Sequence, residues 1–342
     1  MSIVTSQELR VREERSELYD LSVIVVSYNT REVLRRCFQH LKECVEGLSL
    51  EIIVVDNGSR DNSVEMLEQD YPEVRLICSD FNMGFAAANN RALRLARGRY
   101  IVLLNSDAFL KKGAVRCAIH HMDSDPKAGL GGGLLTGEEG SWQPSARSFP
   151  SPLNDLLILS GLANRFPNSR FFGRGDRTWA DPMEATEVDW VPGAFLIIRP
   201  EVLAQAGIFD EAFFLYYEEV DLCRRIKALG YKVMYWPDVV VVQLGGESSK
   251  TIRGAVLSDF GSQVTLWNLR SKFLYYRKHH AAAVHLVRVV DLGWHQLRFL
   301  RNCFSKLAER KRKAEESRTV IKLVKRAWGE TDGGKVSPPR PW

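Results

Sequence analysis

The sequence predicts an α/β fold: a mostly parallel central sheet with helices on both faces, followed by a helical, basic C-terminal extension. Three observations predict it. Apolar runs alternate with helix-spaced segments from residue 21 to about residue 125. These runs are near-continuous and β-branched, the pattern of strands buried on both faces. Each run also ends in polar residues. Right-handed crossovers gather such ends along one edge of a sheet, where ligands of open α/β sheets bind.

The elements follow in order. "LSVIVVSYN" (21–29) is the first strand and "REVLRRCFQHLKECV" (31–45) the first helix, with Val33, Leu34, Cys37, Phe38, Leu41 and Val45 at helical spacing. "LEIIVVDNGS" (50–59) is a second strand ending in Asp-Asn-Gly, and "DNSVEMLEQDY" (61–71) a helix with an N-cap at its start. "VRLICSD" (74–80) is the third strand and "GFAAANNRALRLARG" (84–98) a helix stopped by Gly98. "RYIVLLNSD" is the fourth strand, and "KGAVRCAIHHMDS" (112–124) the next helix. Beyond residue 125 the pattern changes. "GLGGGLL" (129–135) is a strand or bend, and residues 141–182, rich in Pro, Ser, Phe and Arg, read as an irregular, partly ordered insertion. "EVDWVPGAFLIIRP" (187–200) gives two strands around a Pro-Gly break, "PEVLAQAGIFD" a short helix, "EEVDLCRRIKALG" (218–230) an amphipathic helix, and "YKVMYWPDVVVVQL" (231–244) further strand.

With 45% hydrophobic and 26% charged residues in 342, the chain can bury a sizeable core. A formal charge of +5 is too small to argue for nucleic acid. Six cysteines show no C-x-x-C pair and no zinc spacing, which reads as buried thiols in a reducing compartment. Residues 6–20 are charged throughout, unlike a signal peptide, and no uncharged apolar run of bilayer length occurs.

Motif tests narrow the chemistry. No G-x-G-x-x-G follows the first strand. "QLGGESSKT" (243–251) lacks the glycine a phosphate loop needs before Lys250. Asp123 and Asp125 are read as a helix end rather than a metal pair. The remaining constellation lies at the strand exits. Asp56 is placed to accept the imide N–H of uracil or thymine, and Tyr28 to lie against a base or ribose. Asp107 can offer hard oxygen to Mg²⁺ or Mn²⁺, which would bridge a diphosphate and stabilise its charge as it leaves. Glu218, Glu219 and Asp221 form an acidic helix start behind the aromatics of "FFLYY". Such acids suit the helix dipole, but beside so many aromatics a carboxylate can also serve as a general base.

Six segments in this order, "VIVVSYNT", "EIIVVDNGSRDNS", "NMGFAAANNRAL", "YIVLLNSDAFL", "VDWVPGAFLIIRPEVL" and "GIFDEAFFLYYEEVDLCRRIKALGYKV", resemble a family 2 glycosyltransferase of the bacterial rhamnosyltransferase branch. The resemblance covers residues 21 to about 250. It implies a GT-A fold, with a nucleotide-binding half (21–125) and an acceptor half (126–250), and inverting transfer from a dTDP- or UDP-sugar, with L-rhamnose the family-level guess. By motif position it implies Ser27, Tyr28, Asn29 and Asp56 as nucleoside contacts, with Asn105 and Asp107 completing the donor set at the fourth strand's exit. Gly84 and Asn89 would close over the ribose and diphosphate, and Trp190 and Gly193 would face sugar and acceptor. Two departures stand out. The family's Glu-Asp catalytic pair reads Glu218-Glu219, which makes Glu219 the base. The family's late-strand histidine reads Gln243, a weaker second metal ligand beside Asp107. These departures also leave open a non-catalytic nucleotide-sugar or carbohydrate-binding relative.

The remaining chain divides into a charged extension (1–20), a helical basic region (251–328) and a tail (329–342) expected to be disordered. The basic region, with Trp267, Tyr275, Tyr276, Trp294 and Trp328, suggests contact with a membrane surface, with a homodimer face as the rival. The expected partners are a nucleotide sugar and a lipid-linked or glycan acceptor, with no nucleic acid. The expected location is the cytoplasm, peripheral on the inner face of the inner membrane, and the role is in cell-surface polysaccharide or cell-wall assembly.

Overall fold

A computed structural model describes residues 19–45, 47–244, 257–305 and 307–338. Most of the charged extension, the "GGESSKT" part of the phosphate-loop mimic and the boundary set at residue 250 lie outside the described residues.

The first half alternates as its apolar runs dictate: β1 (Tyr19–Ser27), α1 (Arg31–Cys44), β2 (Leu50–Asp56), α2 (Ser63–Asp70), β3 (Arg75–Cys78), α3 (Phe85–Leu93) and β4 (Gly98–Asn105). Then follow β5 (Ala108–Leu110), α4 (Ala114–Ser124), β6 (Ala128–Thr136), β7 (Trp142–Gln143), α5 (Pro152–Leu159), α6 (Leu162–Arg165), β8 (Thr186–Val188), β9 (Phe195–Ile198), α7 (Pro200–Ala206), α8 (Glu218–Ala228) and β10 (Lys232–Gln243). Three long helices close the chain: α9 (Leu257–His279), α10 (Ala283–Cys303) and α11 (Ala308–Glu330).

One sheet runs β3-β2-β1-β4-β9-β6-β10-β5, with β7 on β6 and β8 on β10. Strands β3, β2, β1 and β4 are parallel, as their unbroken apolar runs require. Beyond β4 the sheet is mixed, because β9 pairs antiparallel with both β4 and β6. The sheet is still mostly parallel along its path, since β6 and β10 also pair parallel, and the antiparallel pairs on that path are those made by β9 and β5. The chain passes from β1 outward to β3 and returns at β4 on the other side of β1, so β1 and β4 flank a topological switch point.

One apolar layer packs α1 and α4 on one face, around Phe38, Leu41 and Val115. A second packs α3, α7 and α8 on the other, around Ala88, Leu203 and Leu222. The glycines of "GLGGGLL" belong to β6 for a steric reason. A Cβ on Gly131 would stand 1.8 Å from the Trp236 ring, and one on Gly133 would stand 2.0 Å from the Val239 carbonyl.

Several expectations change. Residues 141–182 are ordered: Pro152 sits in the first turn of α5 and the Ser151 hydroxyl accepts from the Asn154 amide to cap it. Of the cysteines, Cys37, Cys44 and Cys223 are buried but Cys78 is exposed, at the edge strand β3. The tail is structured to residue 338. Gly333 and Gly334 take positive φ, which lets the chain turn back onto α9, and the Ser337 hydroxyl donates to the Ala212 carbonyl at 2.8 Å. The C-terminal region is helical, but Tyr275 and Tyr276 face inward, both at 0% exposure, in a third apolar cluster, and Trp267, at 7%, packs on Phe214 with ring centroids 5.2 Å apart. They build a core rather than a membrane belt. No described helix is long and apolar enough to cross a membrane.

Candidate active site

Strand register assembles the site. Ser27 pairs with Asp56 across β1–β2, and Val26 with Asn105 across β1–β4, so the polar ends share one edge. The segment "LLNSDAFL" is two strands rather than one. β4 ends at Asn105, the chain turns, and β5 pairs antiparallel with the end of β10, Ala108 opposite Gln243. Asp107 occupies that corner, and its carbonyl accepts from the Leu244 amide at 3.1 Å. A cavity opens there, lined by Tyr28, Asn57, Asn82, Gly84, Asn105, Asp107, Phe214, Tyr216, Gln243 and Trp267 among others.

The loops around it are pinned by side chains. Asn57 accepts from the Met83 amide and donates to Asn82 Oδ1, both at 2.9 Å, tying the loop after β2 to the loop before α3. Gly84 has φ 91°, and a Cβ there would lie 2.5 Å from the Phe214 carbonyl. That close approach lets the Phe85 amide donate to Phe214 O at 2.8 Å and draws the segment before α8 over the cavity.

Helix α8 begins under strain. Tyr216 and Tyr217 both take φ 69°, a left-handed conformation that β-carbon-bearing residues rarely adopt. Tyr216 lines the first cavity and also a second, which holds Glu219, Arg147, Asp155, Asp176, Trp190, Tyr217 and Asn268. Glu219 has one buried oxygen, Oε2, without a partner among the described residues, and Glu218 has another. Burial raises the proton affinity of both. For Glu218 the adjacent Glu219 charge raises it further, well above an ordinary carboxyl. For Glu219 burial is opposed by backbone N–H groups, including that of Gly193, and by the Arg147 cation. The two environments differ: the proton affinity of Glu218 is raised further than that of Glu219, whose charge the backbone N–H groups and Arg147 partly support. Arg147 also lies over the Trp190 ring at 5.3 Å, and Trp190 Nε1 donates to the Ser148 carbonyl at 2.9 Å.

The other sequence-derived residues take varied places. Asp56 is 2% exposed and does not line the first cavity. Its Oδ1 accepts from the Gly58 and Ser59 amides, its buried Oδ2 has no partner among the described residues, and burial raises its proton affinity. Ser27 is buried and shares a hydrogen bond with Thr30. Asn29, at φ 52°, accepts from the Arg60 amide at 2.7 Å while its own amide donates to Ser59. Asn89 is buried and donates to the Phe85 carbonyl within α3. Ser27, Asn29 and Asn89 thus shape the loops that present Tyr28 and Gly84. Asp221 departs from its expected catalytic grouping. It is fully buried, bound to Arg225 and His279 and paired with Lys278. Burial alone would raise its carboxyl, but hydrogen bonds from His279 and Lys278 and the Arg225 charge hold it down at about 2. It anchors α8 to α9.

The sequence reading placed Asn57, in the polar tip Asp56-Asn57, among the strand exits expected to line one cleft, and it does so. It missed Arg147, Asn82, Tyr216 and Trp267 as site residues; Asn82 sits in a strand-exit loop within reach of the same edge argument. Arg147 lies in the stretch read as irregular, and Trp267 was assigned to a membrane belt.

Metal-ligating residues were tested by donor chemistry. No group of three or more His, Cys, Asp or Glu gathers among the described residues. The first cavity does bring together the Asp107 carboxylate, the Gln243 amide and the buried, unpartnered Asn105 Oδ1. One carboxylate with neutral oxygens suits Mg²⁺ or Mn²⁺, which take much of their coordination from phosphate and water.

Comparisons with known proteins agree with this layout. The family model described as glycosyl transferase family 2 matches residues 22–180. The N-acetylglucosaminyl-diphospho-decaprenol L-rhamnosyltransferase of Mycobacterium tuberculosis is 30% identical over 238 residues, 65% of this chain and 75% of that protein. Rhamnosyltransferase WbbL of Escherichia coli K12 is 25% identical over 265 residues, 74% of this chain and 91% of that protein. The crystal structure of GalNAc-T7 with UDP, GalNAc and Mn²⁺ superposes with TM-score 0.51 at 14% identity, over 88% of this chain and 55% of that one, which speaks to the fold alone. The chain belongs to the family 2 glycosyltransferases, on a GT-A fold and in the company of rhamnosyltransferases.

Proposed function

We propose that this glycosyltransferase moves a sugar, L-rhamnose by its relatives' names, from a dTDP- or UDP-sugar to a hydroxyl of a lipid-linked or glycan acceptor in cell-surface glycan assembly, with inversion. One observation carries the reading: two cavities share Tyr216, one lined by Asp107 and the other by Glu219, whose buried Oε2 has no partner among the described residues.

The nucleoside diphosphate takes the first cavity. Tyr28 offers a ring to the nucleoside. Asp56 lies outside the cavity lining, and its buried, unpaired Oδ2 would accept the imide N–H of a pyrimidine base only once the loop after β2 opens toward it. Asp107, Asn105 and Gln243 face the diphosphate and would hold a divalent cation, which when bound neutralises charge on the leaving group. The acceptor enters the second cavity against Trp190 and Arg147. Its hydroxyl oxygen attacks the anomeric carbon, its proton passes to Glu219, and the bond between that carbon and the diphosphate oxygen breaks. The Gly193 amide and the Arg147 cation favour the ionised form of Glu219 that takes the proton, against the burial that raises it, and Glu218 has the higher proton affinity of the two.

Transfer and donor binding measured side by side test this reading. Glu219→Gln is expected to keep donor affinity and lose turnover by about three orders of magnitude or more, a large loss for one general base. Asp107→Ala is expected to lose the part of donor affinity that Mn²⁺ supplies. Undiminished transfer by Glu219→Gln would contradict the base assignment. Equal donor affinity with and without Mn²⁺ in the parent would contradict the metal role.

A further inference from the structure

The surface beside the Glu219 cavity has a composition the catalytic reading does not use. Leu153, Leu156, Ile158, Leu162, Phe166 and Phe171, on α5, α6 and the turn after them, are each 38–52% exposed. Phe166 and Phe171 both pack on Phe172, with ring centroids 5.0 and 5.2 Å apart, which gathers the aromatics into one knob. Between Asp155 and Asp176 the chain holds no acid, and Arg165, Arg170 and Arg174 stand exposed among the apolar side chains. Contiguous apolar surface of this kind marks an interaction site.

This segment is held firmly. Asp155 of α5 accepts from the Tyr276 hydroxyl at 2.9 Å and pairs with buried Lys272 at 3.1 Å, and Lys272 also binds Asp291 of α10 at 3.0 Å. Burial pulls the Lys272 ammonium toward neutrality, but the two carboxylates more than reverse that and keep it charged. Leu153, Leu156 and Ile158 therefore face solvent from an anchored helix, and Leu162, Phe166 and Phe171 follow directly after it. Ile158 also lines the cavity that holds Glu219, so the apolar surface starts at the mouth of the acceptor site.

We propose that the α5–α6 segment, through Leu162, Phe166, Phe171 and their flanking arginines, docks on an anionic lipid bilayer and sets the Glu219 cavity at the headgroup level. Apolar and aromatic side chains interleaved with Arg165, Arg170 and Arg174 match such a surface in charge and polarity, with Asp181 and Glu184 beside Arg170 as the nearest opposing charges. The inference rests on the reading of a lipid-linked acceptor and deepens it: the lipid tail stays in the bilayer while its glycan end enters beside Ile158. It moves the membrane contact from the C-terminal helices, whose aromatics are largely buried, to the acceptor half. Helix α10 also exposes Leu297 and Leu300, at 61% and 60%, which supplies an internal comparison.

Co-sedimentation of the full chain with vesicles tests it, alongside transfer to a short-chain, water-soluble acceptor. The parent is expected to bind phosphatidylglycerol-containing vesicles at low salt and to release from phosphatidylcholine vesicles. Replacing Arg165, Arg170 and Arg174 with Gln should weaken binding about a hundredfold, on the order of fivefold for each charge. The double variant Phe166→Ser/Phe171→Ser should lose binding with an unchanged melting temperature and unchanged transfer to the soluble acceptor. Leu297→Ser/Leu300→Ser should bind as the parent does. Vesicle binding that survives the phenylalanine variant, or is lost only in the α10 variant, would overturn the proposal. So would a parent that ignores anionic vesicles, or a phenylalanine variant whose only change is from dimer to monomer. Failure of the parent to glycosylate any soluble acceptor would instead count against the transferase reading, since vesicle binding is measured without turnover.

Discussion

At Glu219, burial pushes the carboxyl up while the Gly193 amide and the Arg147 cation pull it down, and burial wins. A general base must be ionised to accept a proton, so turnover falls as pH drops through this raised value. The acid limb of a kcat–pH profile is therefore expected above the range of an ordinary glutamate. Arg147→Gln removes the opposing cation and should move that limb higher still. A limb at or below the ordinary range would show that another group limits transfer. Residue identity made part of this visible in advance: Asp107, Tyr28 and Glu219 announce themselves as polar groups where apolar runs stop. By residue type alone Asp221 resembles Glu219, since both are acids in one helical turn, and only motif position singled out Glu219. The arrival of Lys278 and His279 from α9, nearly sixty positions later, marks Asp221 as an anchor.

Helix α8 ties the catalytic half to the C-terminal helices through Asp221. Its carboxylate is fully buried and held low, so its contribution to stability is complete above the ordinary carboxylate range and is lost as pH falls toward about 2. Breaking a buried pair is costly, but Lys278 remains partly solvated, so Asp221→Asn is expected to destabilise by about 2 kcal/mol in urea unfolding at neutral pH. The difference should shrink in acid. An unchanged midpoint would mean that the network contributes nothing. At this scale strands and crossover helices were legible because periodicity reports burial directly, as in β1, β2 and β4. Helix α5 was not, because "PLNDLLIL" sits between Ser151 and Ser160 in a proline-rich stretch, and its partners Lys272 and Tyr276 come from far along the chain. The two strands of "LLNSDAFL" were merged for the same reason, since β5 exists only through its pairing with β10.

Across the whole molecule, one sheet edge opens into the cavity at Asp107, and one strained turn, Tyr216-Tyr217, lies between it and the Glu219 cavity. The parallel half of the sheet follows from local sequence. The mixed half depends on β9 inserting between β4 and β6, a long-range choice that composition does not record. The C-terminal aromatics were read as a membrane belt because aromatic-basic alternation is shared by interfaces and by helices packed on a core, and Tyr275 and Tyr276 at 0% exposure settle which one this is. The account as a whole predicts where a donor must lie. A crystal structure with a nucleoside diphosphate sugar and Mn²⁺ is expected to show the diphosphate against Asp107, Asn105 and Gln243, with the anomeric carbon turned past Tyr216 toward the free oxygen of Glu219. A diphosphate seated away from Asp107, or an anomeric carbon out of reach of an acceptor held at Glu219, would contradict it.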